Sequence, residues 1–276
     1  MTFSIVTRSP DGRTWGVAVA SKFLSVGAFV PAASPSAGAL ATQADVNLTY
    51  RPRGLALLAD GTGADESVRR LVDADPRGSH RQLGVVDRLG EAAAHTGSDC
   101  IGWAGHRTEH GLSVQGNCLV GAEVVDAMVA SWHGSASLPH LSDRLVAALR
   151  AGDRAGGDAR GRQSAAVLVV RDKGGFMEMS DVVADLRVDD HPSPTDELDR
   201  LLRLHHLYLE RPDDSDLIPI DPVLRAECDR LATQCGHRTL EEWVGTNNYE
   251  MRMVEDRIDH AVVDLLRGQA RARPPS

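Results

Sequence analysis

Thr2 stands directly behind Met1. Methionine aminopeptidase generally removes the initiator when the next residue is small, and threonine qualifies. The mature chain would then begin with a free threonine. Such a residue carries its nucleophile and its base together: the hydroxyl attacks, and the α-amine, with an unperturbed pKa of about 8, takes the proton. No histidine partner is required. A nucleophile at the first residue must be anchored, because a frayed terminus cannot aim it. The β-rich run Phe3-Ser4-Ile5-Val6 follows at once and can anchor it. Lys22 is one of two lysines in the chain, the other being Lys173. Ser21 and Lys22 close the second apolar run, Trp15 to Ala20. In a hairpin the end of the second strand lies beside the start of the first, which puts Lys22 near Thr2. A cation there lowers the α-amine pKa and keeps the base neutral.

Other constellations carry less. His106 and His110 are four apart, a metal-binding spacing on a helix. They fall in Gly105-His106-Arg107-Thr108-Glu109-His110-Gly111, which reads as a turn, so no metal site is expected. Asp189-Asp190-His191 precedes a proline pair and can equally cap the next helix. Cys118 follows Asn117 but has no histidine partner. His205 and His206 are adjacent on a helix and do not face each other. Gly61-Thr62-Gly63 lacks the rest of a phosphate loop.

The elements that must position Thr2 can be read along the chain. Ser9-Pro10-Asp11-Gly12 is a turn between the two first strands. A stretch rich in Gly, Pro and Ser runs from Gly27 to Gly38, and Ala39 to Gln43 is a third strand. Pro52 to Ala59 and Ala64 to Val72 read as helices, the second with an acidic first turn. Short strands follow at Gln82–Val86, Ala92–Thr96, Ile101–Ala104 and Leu112–Gln115. Val124 to Trp132 and Ser142 to Arg150 are helical. Ala165 to Val170 and Val183 to Val188 are apolar strands. Two β blocks interleaved with two helix pairs predict helical layers outside packed sheets. A doubly wound parallel sheet fits worse, because the strands come as hairpins. Pro192-Ser193-Pro194 reads as a linker. Beyond it Thr195 to Leu209, Pro222 to Gln234, Leu240 to Val244 and Asp256 to Gly268 read as helices. The reading gives one domain over 1–192 and a small α-helical one over 197–276, with a frayed tail from Arg271.

Composition sets the outer limits. The chain has 276 residues, 42% hydrophobic and 25% charged, with 4% aromatic. That is a folded domain or two, with a core of Ala, Val and Leu. A net charge of −9 argues against nucleic acid and anionic membranes as partners. No stretch reaches the roughly 18 apolar residues that span a bilayer, and no basic n-region precedes an apolar one. A cytoplasmic protein is expected, its four cysteines free thiols.

Five segments, in order, resemble the domain-of-unknown-function family one-thousand-and-twenty-eight. They are Met1 to Val6, Gly16 to Phe23, Ala41 to Asn47, Trp103 to His106 and Val114 to Asn117. The resemblance covers about residues 2–192. That family is placed in the N-terminal-nucleophile (Ntn) hydrolase superfamily, which implies an α+β fold: a four-layer αββα sandwich. The segment with Trp243-Val244-Gly245-Thr246-Asn247-Asn248 resembles a small module labelled as peptidoglycan-binding. The resemblance makes Thr2 the nucleophile and places Ser21 or Lys22 among polar partners of its amine. It makes Asn117, after Gly116, an oxyanion donor, and Gln43 and Asn47 substrate contacts. It implies hydrolysis of an amide or related C–N bond of a small molecule, without cofactor or metal, by a homo-oligomer. Two alternatives stay open: a non-catalytic ligand-binding or assembly protein on the same fold, and a metal hydrolase using His106, His110 and Asp189.

Overall fold

The computed structural model describes residues 2–272. Met1, whose removal is expected from the sequence, and the last residues of the tail lie outside the described residues. The chain is a mixed α/β protein built on antiparallel sheets, with a helical C-terminal region. It divides into two compact units at Leu202/Arg203. That is further along than the expected proline linker. The helix that begins at Pro194 places Leu198 and Leu202 in the core of the first unit. Thr195 lies inside that helix and donates to Asp153 Oδ2 (3.0 Å).

The first unit opens with the expected hairpin, β1 (Thr2–Arg8) and β2 (Thr14–Ser21). Gly12 turns it at φ 73°, a conformation that suits a residue without Cβ. Then come β3 (Pro31–Ser34), β4 (Gly38–Ala44), α1 (Tyr50–Ala59), α2 (Ala64–Asp73), β5 (Arg81–Asp87) and β6 (Ala92–Thr96). β7 (Trp103–Glu109), β8 (Leu112–Leu119), α3 (Glu123–Gly134), α4 (Leu141–Arg154), β9 (Ser164–Arg171), β10 (Val182–Val188) and α5 (Pro194–Leu209) follow. Six strands form one sheet in the order β10-β9-β2-β1-β8-β7, and four form another, β3-β4-β5-β6.

Side-chain alternation decides which residues meet. Phe3, Ile5, Ala18, Leu112 and Val114 face one way from the six-stranded sheet, onto Val125 and Met128 of α3 and Leu145 and Leu149 of α4. Val6, Val17 and Val19 face the other way, onto Ala39, Ala41 and Val86 of the second sheet. The far side of that sheet, Leu40, Leu83 and Val85, is covered by Tyr50 and Leu58 of α1 and Val68 and Leu71 of α2.

Two differences from the sequence reading bear on function. β3 lies in the Gly/Pro/Ser-rich stretch, where small residues hide a strand period. β7 runs on to Glu109 rather than ending at Ala104, so His106 is a strand residue.

The second unit carries β11 (Leu217–Pro219), α6 (Pro222–Gln234), α7 (Leu240–Thr246), β12 (Met253–Val254), β13 (Arg257–Asp259) and α8 (His260–Ala272). Its core is Cys228, Leu231, Leu240, Trp243, Ile258, Val262 and Leu266. Asp221 caps α6 through Leu224 N–H (2.8 Å) and Thr239 caps α7 through Glu242 N–H (3.2 Å). It is not wholly helical: β11, β13 and β12 form a small antiparallel sheet, too short to show a period in sequence.

Candidate functional site around Thr2

Between the two sheets the apolar contacts give way to polar ones toward one end. That end holds the start of β1, the end of β2 and the end of β8. The register follows from the hairpin: Phe3 pairs with Ala20, which brings Ser21 across from Thr2, and Thr2 pairs with Asn117 on the other side. Thr2, Ser4, Ser113, Gln115 and Asn117 of the first sheet, and Gln43 and Gln82 of the second, fall on inward-facing strand positions. All are buried.

A buried carboxamide left unpaired costs about 1–3 kcal/mol, so this cluster must satisfy itself, and it does. The Thr2 and Ser21 hydroxyls are 3.1 Å apart. The Thr2 carbonyl accepts from Gln43 Nε2 (3.3 Å) and Asn117 Nδ2 (3.4 Å). Both nitrogens also donate to one atom, Gln82 Oε1, at 2.8 and 2.9 Å. Gln82 Nε2 donates to the Gly116 carbonyl (2.7 Å), Thr96 Oγ1 (2.9 Å) and the Gly105 carbonyl (3.1 Å). On the inner side, Ser4 donates to Gln43 Oε1 (2.7 Å) and accepts from Gln115 Nε2 (2.7 Å), while Ser113 donates to Gln115 Oε1 (2.7 Å). Gly84 of β5 faces this group. A Cβ there would lie 2.1 Å from Gln115 Oε1, so the sheets approach this closely because the residue has none.

Of the residues predicted from sequence, Thr2, Ser21, Gln43 and Asn117 come together. Lys22 and Asn47 go elsewhere. The Lys22 ammonium is exposed and donates to the Arg162 carbonyl (3.3 Å), and its backbone N–H is held by Asp158 Oδ2 (2.8 Å). The polar neighbour of Thr2 is therefore Ser21, since strand alternation turns consecutive residues to opposite faces. Asn47 donates to Asp75 Oδ2 (2.7 Å), and its Oδ1 accepts from the Thr49 N–H and hydroxyl (3.0 and 2.8 Å). It belongs to a structural cluster in which Arg81 Nε meets Asp75 Oδ2 at 2.9 Å. The Arg81 hydrogen bond, with those of Asn47 and Tyr50, holds the Asp75 carboxyl well below the usual carboxylate range, against its burial.

His106 and His110 part company. His106 Nδ1 lies 2.9 Å from Thr96 Oγ1. Burial, then His95 and Arg107, push its pKa down, so the ring is neutral at physiological pH. His110 is exposed and lies 3.5 Å from Glu91. Cys118 occupies a bulge between β7 and β8, at φ 51°.

Sequence reasoning missed Gln82, Thr96, Ser4 and Gln115. The available signal was polar residues at alternate strand positions, Ser4, Ser113-Gln115-Asn117 and Gln82, among apolar neighbours. Such a pattern reads as a solvated face until a second sheet is known to cover it.

An antiparallel two-sheet unit with a threonine held at its second residue thus defines the class. The chain belongs to the family of unknown function DUF1028, whose model matches residues 2–198. A second model, provisionally described as a peptidoglycan binding domain, matches residues 225–266. The crystal structure of protein SPO2555 from Silicibacter pomeroyi, a DUF1028 protein, is similar at 31% sequence identity and a TM-score of 0.66, covering 74% of this chain and 89% of that one. Comparison with curated proteins gave no match.

Proposed function

We propose that this chain is an Ntn hydrolase that cleaves an amide or related C–N bond of a small molecule, and that its first unit is the four-layer αββα sandwich of that superfamily. One observation carries the reading. Thr2 is tied on both sides, to Ser21 and Asn117, by strand pairing and by buried hydrogen bonds. The frame supports a nucleophile there because it holds the Thr2 hydroxyl in one place.

The steps follow from the groups present. With Met1 removed, the Thr2 hydroxyl attacks the substrate carbonyl carbon and its proton passes to the α-amine. An N–H of Asn117 stabilises the oxyanion. Its contact with the Thr2 carbonyl, at 3.4 Å, is long and readily exchanged. The C–N bond breaks as the ammonium returns its proton to the leaving nitrogen, which leaves a Thr2 ester. The amine then takes a proton from water as the hydroxide attacks the ester, and the ammonium returns that proton to the Thr2 oxygen as the acid departs. Ser21 orients the nucleophile through its 3.1 Å contact.

The test combines intact mass with turnover of a panel of small amides. The purified protein is expected to lack Met1. Thr2→Ser should retain turnover, and Thr2→Ala should lose at least about a thousandfold. A protein that retains Met1 and hydrolyses the panel, or a Thr2→Ala variant at full turnover, would overturn the mechanism.

A further inference from the structure

Gln82 touches nothing that reacts, yet it decides how two other carboxamides point. The two ends of an amide side chain are nearly isosteric, so only partners fix which end is which. Gln82 meets the carbonyls of Gly105 and Gly116 at 3.1 and 2.7 Å. Carbonyl oxygens only accept, so the nitrogen must face them. The Gln82 oxygen then faces Gln43 and Asn117, at 2.8 and 2.9 Å, and both must present nitrogen to it. Each amide nitrogen has a second N–H, and both reach the Thr2 carbonyl. Ser4 enforces the same sense on Gln43 from the other end, by donating to its oxygen. Without Gln82, only the long 3.4 Å contact with the Thr2 carbonyl distinguishes the two ends of Asn117, and once that N–H is given up to substrate a flipped Asn117 would turn a carbonyl oxygen toward the reacting atoms. An oxygen there would repel a developing oxyanion rather than stabilise it.

We infer that Gln82 is a positioning residue: pinned by the Gly105 and Gly116 carbonyls, it fixes Asn117 and Gln43 so that N–H groups face Thr2. The catalytic consequence rests on the proposed role of Thr2; the orientation itself does not. Two measurements separate them, each on the full chain. Gln82→Met keeps length and removes every polar contact. Gln82→Leu serves if the methionine variant does not fold, because it too offers no acceptor to Asn117 and Gln43.

The first readout is the side-chain amide NMR signals of Gln43 and Asn117. These should shift and broaden in the variant, while backbone signals away from the site stay in place. Unchanged amide signals in a folded variant overturn the inference, whatever Thr2 does. The second is the rate of Thr2 acylation by a β-lactone. Gln82→Met should slow it at least about tenfold. In an Asn117→Ala background, the same substitution should cost less than about twofold, because it acts through Asn117. A merely structural residue would lower the Tm while acylation stayed at the wild-type rate, or its effect would multiply with that of Asn117→Ala. Either result overturns the inference. Absence of acylation in the wild type counts against the Thr2 reading, and the amide signals still decide the role of Gln82.

Discussion

At the scale of single residues, Thr2 differs from an ordinary strand residue by what surrounds it. Its hydroxyl meets Ser21, and its carbonyl accepts from two carboxamides that Gln82 holds in one sense. The base in the account is the α-amine that Met1 removal exposes. A protonated amine cannot accept a proton, so the acylation rate should rise with pH through about 8 and level off above it. A rate that is flat between pH 6 and 9, followed with the β-lactone, would point to a different base. Thr2 was singled out by its place behind Met1 and Ser21 by the end of the second apolar run, whereas Gln43 and Asn117 came from the family resemblance and not from spacing. Lys22 was misplaced by one position. Hairpin logic finds the right strand end, but alternation gives the inward place to Ser21 and turns Lys22 toward Arg162.

Among the elements, the hairpin, the helices and most strands follow directly from period and punctuation. β3, the extension of β7 and the short strands β11 to β13 do not. Ala, Gly and Ser carry little hydrophobic contrast, and a strand of two or three residues has no period. Pairing across sheets is also invisible in one dimension, which hid the Gln43–Gln82–Asn117 junction. The loop after β4 is fixed by the buried pair Arg81–Asp75, with Asn47 and Tyr50 attached. Asp75→Ala would leave the buried Arg81 guanidinium with Asp45 alone, 3.3 Å from its Oδ2, and the lost charged hydrogen bonds should cost about 2–3 kcal/mol in urea unfolding. The pH dependence has a definite sign. The folded carboxyl binds its proton less tightly than the unfolded one, whose pKa is about 3.9. Its contribution is therefore complete above that value and is lost as the pH falls below it. The urea midpoint should drop between pH 5 and pH 3 in the wild type, and less so in Asp75→Asn. An equal drop in both would assign the acid sensitivity to other carboxylates.

Across the whole molecule, the two units hold separate cores, and every residue of the Thr2 network belongs to the first. Among the described residues no helix is long and apolar enough to cross a membrane. Trp243 anchors the core of the second unit and donates from Nε1 to Gln269 (2.6 Å). Trp243→Ala should destabilise that unit by about 3–5 kcal/mol, seen as faster amide exchange in α6 to α8, with Thr2 acylation unchanged. A parallel loss of acylation would show that the second unit supports the site.

An activated nucleophile at Thr2 would be read at its own oxygen by peptide mapping after β-lactone treatment of the purified protein. Stoichiometric acylation of the Thr2 hydroxyl is expected, in a peptide that begins at Thr2 and ends at Arg8. A folded protein whose first peptide retains Met1, or begins at Thr2 and carries no adduct, would contradict it.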